Sequence, residues 1–190
     1  TKPTPAEPLP SFDEVDVSAE ERERIAQAAR HLFGFEALLP GQLETIAYIL
    51  RGEDVLTILP TGGGKSLCYQ LPALMDERGT TLVISPLIAL MKDQVDSLPA
   101  SLRAQATTIN SSLEGDELHR RLEQASRGLY RLVYAAPERL RQPTFLHAMR
   151  CAGLSRLVID EAHCVSMWGH DFRPDYLSIG QARQALDSPP

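Results

Sequence analysis

The chain has 190 residues, of which 43% are hydrophobic and 23% charged, with a formal net charge of -6. This length and apolar content support one domain with a real core; no apolar run approaches the roughly 20 residues of a membrane span, and the Pro-rich, polar start does not read as a signal peptide. The acidic balance excludes a protein that coats nucleic acid through bulk charge, so any such contact has to be local. Cys68, Cys151 and Cys164 are widely spaced, with neither a CxxC pair nor a zinc-type cluster, so reduced thiols and a cytosolic setting are expected.

Prolines at positions 3, 5, 8 and 10 remove backbone donors, and residues 1–17 read as a flexible leader ahead of one domain over 18–190. Ser18 followed by Glu21 fits a capping box for a helix from Ala19 to Phe33, which Gly34 should stop. A second helix is expected from Gly41 to Leu50. Beyond it, short apolar runs alternate with helical segments, the pattern of an α/β fold with a mainly parallel sheet flanked by helices. The expected strands are Val55 to Leu59, Thr81 to Ser85, Ala106 to Ile109, Arg131 to Ala135 and Arg156 to Ile159. The expected helices between them are Lys65 to Glu77, with a kink at Pro72, Ile88 to Leu98, Leu113 to Ser126 and Thr144 to Cys151. No internal repeat is present.

Around residues 55–75 a strand, a glycine-rich turn and a helix follow one another, the context a phosphate loop requires. In Thr61-Gly62-Gly63-Gly64-Lys65-Ser66 the glycines let the backbone turn its N–H groups inward, and the helix N-terminus favours an anion. Lys65 would reach the β and γ phosphates of ATP, and the Ser66 hydroxyl would bind Mg²⁺. Leu59 occupies the first glycine position of the full GxxxxGK[ST] pattern, so only its GxGKS end is intact.

The complement of such a loop is a carboxylate at the carboxyl end of a neighbouring strand, because open α/β sheets bind ligands in that crevice. Leu157-Val158-Ile159 followed by Asp160-Glu161 supplies it. Asp160 is the candidate for holding Mg²⁺ through its water shell, and Glu161 for orienting or deprotonating the attacking water. Lys65 and Glu161 are thus the catalytic candidates.

From Leu32 to Leu186 the chain resembles the RecQ family of superfamily 2 DNA helicases. Phe33-Gly34-Phe35 with Pro40-Gly41-Gln42 resembles the family's adenine-recognising motif, Leu59 to Ala73 its motif I, and Val83 to Val95 its motif Ia. Thr107 to Ser112 and Arg131 to Leu140 are similar to motifs Ib and Ic. Most specific is Asp160-Glu161-Ala162-His163, which runs on through Trp168-Gly169-His170-Asp171-Phe172-Arg173-Pro174-Asp175-Tyr176 and resembles the family's aromatic-rich loop. Leu39, where the family usually has arginine, and Met167, where it has a polar residue, are departures.

The resemblance implies a RecA-like P-loop fold and ATP-dependent 3′ to 5′ unwinding in DNA repair and recombination. It assigns Phe35 and Gln42 to adenine, Lys92 and Asn110 to the DNA path, and Trp168, His170, Phe172 and Arg173 to coupling single-stranded DNA to hydrolysis. Aromatic faces stack on any base for roughly 1 to 3 kcal/mol, which suits that last role. Read without the resemblance, Gln42 would be a solvated residue opening a helix, Phe35 a core residue, Ser111 or Ser112 a cap for the following helix, and Tyr176 either core or loop.

The same resemblance implies a partner, a second RecA-like domain supplying an arginine finger, and places a motif III strand beyond Pro190, between the phosphate-loop strand and the strand ending in Asp160. The domain is therefore expected to be partial and, alone, inactive in unwinding. The expected partners are single-stranded or partially duplex DNA, with no membrane; the setting is cytoplasmic, at the nucleoid in a bacterium or in the nucleus of a eukaryote. Two alternatives stay open at this point: another P-loop NTPase, such as a kinase, and a catalytically silent binding fragment.

Overall fold

The computed structural model describes residues 16–60, 62–76, 79–165 and 174–190. The chain forms two compact units, residues 1–68 and 69–190. Of the expected leader over 1–17, residues 1–15 lie outside the described residues, while the Asp16 carbonyl accepts from Arg51 and Val17 is buried.

In the first unit, α1 (Ala19–Phe33) begins on the expected capping box: Ser18 Oγ accepts from the Glu21 N–H, and the Glu21 carboxylate accepts from the Ser18 N–H. Gly34 ends the helix at φ 73°, a left-handed cap that only glycine adopts without strain. Helix α2 (Gln42–Arg51) packs on α1, burying Ile25, Ala29, Ile46 and Ala47. Arg51 fastens the pair by donating to both carboxylate oxygens of Glu21 at 2.8 Å and to the Asp16 carbonyl at 2.8 Å.

The expected strand from Val55 to Leu59 does not form. Among the described residues, 53–60 pair with no strand, and Leu56 and Ile58 are 68% and 77% exposed. An apolar run has extended propensity, but a strand exists only where a neighbour completes its hydrogen bonds, and here none does.

Helix α3 (Lys65–Met75) carries the chain into the second unit, with Pro72 inside it. The second unit is a four-stranded parallel sheet in the order β2-β3-β1-β4, made of β1 (Thr80–Ile84), β2 (Ala106–Ile109), β3 (Leu132–Ala135) and β4 (Leu154–Ile159). Four of the five expected strands are therefore present. Parallel neighbours need crossovers, supplied by α4 (Ile88–Asp96), α5 (Gly115–Ser126) and α6 (Pro143–Ala152). A further helix, α7 (Ile179–Ala185), was not anticipated, although Ile179, Ala182 and Leu186 have its spacing.

The core lies between the sheet and these helices: Leu82, Ile84, Ile109, Val133, Phe145 and Met149 are buried together with Tyr176 and Leu186. Each fully buried aliphatic or aromatic side chain contributes about 1.5 to 3 kcal/mol of transfer free energy. The register aligns Ile84 with Ile159 and with Ala135, so the carboxyl ends of β1, β3 and β4 come level. On the outer edge of β4, the Leu157 N–H donates to the Pro190 carbonyl at 2.9 Å.

Candidate functional site

In the first unit the glycine loop is held in shape by Gln42. Its Oε1 accepts from the Leu39 N–H at 2.8 Å, while its Nε2 donates to the Gly64 carbonyl at 3.0 Å and reaches the Gly63 carbonyl at 3.5 Å. Gln42 is 2% exposed, not the solvated residue that its position at the start of a helix suggests. The partner at residue 39 contributes its main chain, so leucine serves this contact as well as arginine would.

Gly62 and Gly64 take φ of 80° and 66°, and a Cβ on Gly64 would collide with the Gln42 amide. The loop thus uses both properties of glycine, positive φ and the missing side chain. Lys65 and Ser66, both half-buried, form the first turn of α3. The Lys65 ammonium lies 3.4 Å from the carbonyls of Leu59 and Pro60, long and therefore weak contacts. A cation and a hydroxyl at the start of a helix fit a phosphorylated ligand with a hard divalent cation. Phe35 is 46% exposed and stacks on Phe33 with centroids 5.9 Å apart; it is not the core residue its type suggests. Thr61 lies outside the described residues.

In the second unit the acidic pair follows β4. Asp160 continues the ladder through its N–H to the Ile84 carbonyl at 2.9 Å, and its Oδ1 accepts from the Glu161 N–H at 3.0 Å. Glu161 has φ 52°, a left-handed conformation that costs a non-glycine residue on the order of 1 to 3 kcal/mol. Its carboxylate lies 3.2 Å from His163 Nδ1. The short 3-10 turn Ala162–Val165 buries Cys164, and the Cys164 N–H returns to the Glu161 carbonyl at 2.9 Å. Tyr176, fully buried, donates from its hydroxyl to the Asp160 carbonyl at 3.2 Å. The Asp160 carboxylate thus engages the Glu161 main chain, and the Glu161 carboxylate engages His163.

Lys92 is exposed on α4 and Asn110 is buried just after β2; both line one groove of about 710 Å³ in the second unit. Asn110 spends its side chain locally, because Oδ1 accepts from the Ser112 N–H and hydroxyl. The serines do not cap α5, whose N-cap is Glu114. Arg139, on the short 3-10 turn Pro137–Arg141, donates to the Asn110 carbonyl at 2.5 Å and so fixes this corner. Arg139 did not stand out in the sequence, because an arginine in a one-turn helix leaves no periodicity to detect, and His163 was read only as part of the motif that follows Glu161. Trp168, His170, Phe172 and Arg173, with Met167, lie outside the described residues.

A model of the DEAD/DEAH box helicase family matches residues 39–188. The chain is 46% identical over 167 residues to the probable ATP-dependent DNA helicase RecS of Bacillus subtilis (strain 168), covering 88% of this chain and 33% of that protein. It is 49% identical over 150 residues to the ATP-dependent DNA helicase RecQ of the same organism, covering 78% of this chain and 25% of that protein. Among solved structures it is similar to the Mycobacterium smegmatis helicase Lhr bound to ssDNA and AMP-PNP, with a TM-score of 0.61 and 26% identity over 90% of this chain and 23% of that one. The chain thus spans a quarter to a third of the length of these curated relatives.

Proposed function

The chain belongs to the DEAD/DEAH box helicase family, with RecQ and RecS helicases as relatives, and from that premise we propose that it hydrolyses ATP with Mg²⁺ in step with binding single-stranded DNA. The observation that carries the reading is the held glycine loop, with Gln42 bound to Gly64 and Lys65 at the first turn of α3. Lys65 binds and orients the β and γ phosphates, and the N–H groups of the loop neutralise charge there. Ser66 and Asp160 are each residues that would ligate Mg²⁺, directly or through its water shell, and the ion would supply charge neutralisation on the phosphate oxygens. Glu161 orients the attacking water and takes its proton.

Phe35 stacks on the adenine, and Gln42 reads its edge by exchanging one of its present partners. Lys92 and Asn110 guide the DNA backbone, and Trp168, His170, Phe172 and Arg173 sense its arrival. We assign the protein 3′ to 5′ unwinding in repair and recombination, in the cytoplasm or nucleus with the DNA, and this requires a second RecA-like domain. That domain adds the arginine finger, a residue type worth on the order of 10³ to 10⁵ in rate.

The test measures ATP turnover by the full-length protein with and without a single-stranded oligonucleotide. Stimulated turnover in the wild type, lost on Lys65→Ala and on Glu161→Gln with DNA affinity retained, is the expected result. Turnover indifferent to DNA, or surviving Lys65→Ala, would sink the reading.

A further inference from the structure

Apart from the residues assigned above, one buried polar constellation ties the helix that starts at the phosphate loop to the helix that carries Lys92. Gln70 on α3 is 4% exposed, and its Nε2 donates to Gln94 Oε1 on α4 and to the Tyr134 hydroxyl on β3, each at 2.9 Å. A primary amide has two N–H donors, and here both are used, toward two different elements. Glutamate would bring no donor and leucine no polar atom.

Tyr134 is itself enclosed: it is 1% exposed, and its ring meets that of Tyr69 edge-on at 6.4 Å. Burial pushes its hydroxyl up to about 12, opposed by the hydrogen bond from Gln70 and reinforced by the charge of Asp160. The phenol therefore stays neutral at any working pH and acts here as a hydrogen-bonding group only.

The three members stand close in sequence to the functional residues. Gln70 lies about one and a half turns along α3 from Lys65, and Gln94 follows Lys92 on α4. Tyr134 precedes the turn whose Arg139 holds the Asn110 carbonyl. An apolar trio of similar volume would pack this region without the desolvation cost of three polar groups, and a satisfied polar network specifies one register where apolar contacts tolerate sliding.

We propose that Gln70 is a positioning residue that couples nucleotide binding at the start of α3 to DNA contact on α4, by locking both helices to Tyr134 in one register. The inference rests on the ATP- and DNA-dependent reading given above. Coupling between sites is reciprocal, so it is measurable from the DNA side: a nonhydrolysable ATP analogue changes the affinity for single-stranded DNA by some factor, and breaking the lock brings that factor toward one.

The experiment uses the full-length protein, a fluorescent oligo(dT) and AMP-PNP, with Gln70→Met and Tyr134→Phe compared with wild type. Expected for both variants are ATP turnover without DNA within about twofold of wild type, DNA stimulation reduced about tenfold, and loss of the AMP-PNP effect on oligo(dT) affinity. Gln70→Met combined with Gln94→Met should be no worse than Gln70→Met alone, since both break one link. Equal loss of unstimulated and stimulated turnover, or an unaltered AMP-PNP effect in a folded variant, overturns the proposal. Should Gln70→Met fail to fold, Tyr134→Phe, which removes a single oxygen, decides the question by the same readouts. A wild type without DNA-stimulated turnover removes the motor reading and this one together, whereas a stimulated wild type with unaltered variants removes only this one.

Discussion

The hydroxyl of Tyr176 donates a 3.2 Å hydrogen bond to the main-chain carbonyl of Asp160, across sixteen positions of sequence. The acidic pair is therefore braced from the far side of the segment that connects them. Tyr176 is 2% exposed and packs in the core with Ala182 and Leu186, so ring and hydroxyl have separable effects. Tyr176→Phe should lower unfolding free energy by about 1 kcal/mol, the usual net worth of one hydrogen bond. Tyr176→Ala should cost about 3 to 5 kcal/mol, as for other large aromatic truncations. Urea unfolding with an unchanged m-value checks both.

Gly64→Ala introduces two faults at once, a side chain at φ 66° and a collision with the Gln42 amide. It should destabilise by more than about 1 kcal/mol and weaken nucleotide binding. Adding Gln42→Ala removes the collision but not the backbone strain, so the double variant should be less destabilised than the two single losses added together. A double-mutant cycle on thermal unfolding, alongside titration with a fluorescent nucleotide, measures the difference.

The Arg51 guanidinium, helped by the Ser18 N–H and hydroxyl, holds the Glu21 carboxyl down at about 2, from an ordinary value of 4.5. Because the folded state binds this proton less readily, the stability it contributes is fully present above about pH 4.5 and is lost as pH falls toward about 2. Arg51→Met should lower thermal stability at neutral pH and flatten its dependence on pH in that window, so that variant and wild type converge toward about pH 2. The same difference should shrink in high salt, since the pair is partly exposed.

The three cysteines should separate by reactivity. Burial pushes the Cys68 thiol up to about 11, Cys164 is also buried, and Cys151 is exposed. Thiolate is the reacting species, so maleimide labelling of the native protein near neutral pH should modify Cys151 alone. Mass spectrometry should find Cys68 and Cys164 labelled only after denaturation. Early labelling of Cys68 would contradict its burial.

Elements whose own residues carry their stabilising partners were legible before any coordinates. Helix α1 is bounded as expected because its capping box and its glycine stop are local, and β1 to β4 were placed because short apolar runs of β-branched residues have few other uses. Helix α7 was passed over because seven residues span too few turns for a periodic signal. Ser111 and Ser112 looked like caps, yet Asn110 competes for Ser112 and the helix starts later, at Gly115.

The sequence by itself determined the α/β architecture, the glycine-rich turn before a helix and the acidic pair after a strand, because each rests on the chemistry of consecutive residues. Only the tertiary structure decided that Val55 to Leu59 forms no strand, that Gln42 turns inward onto the glycine loop, and that Gln70, Gln94 and Tyr134 meet. The physical reason is common to all three: a hydrogen bond needs both its partners, and when the second lies tens of residues away the first cannot announce it.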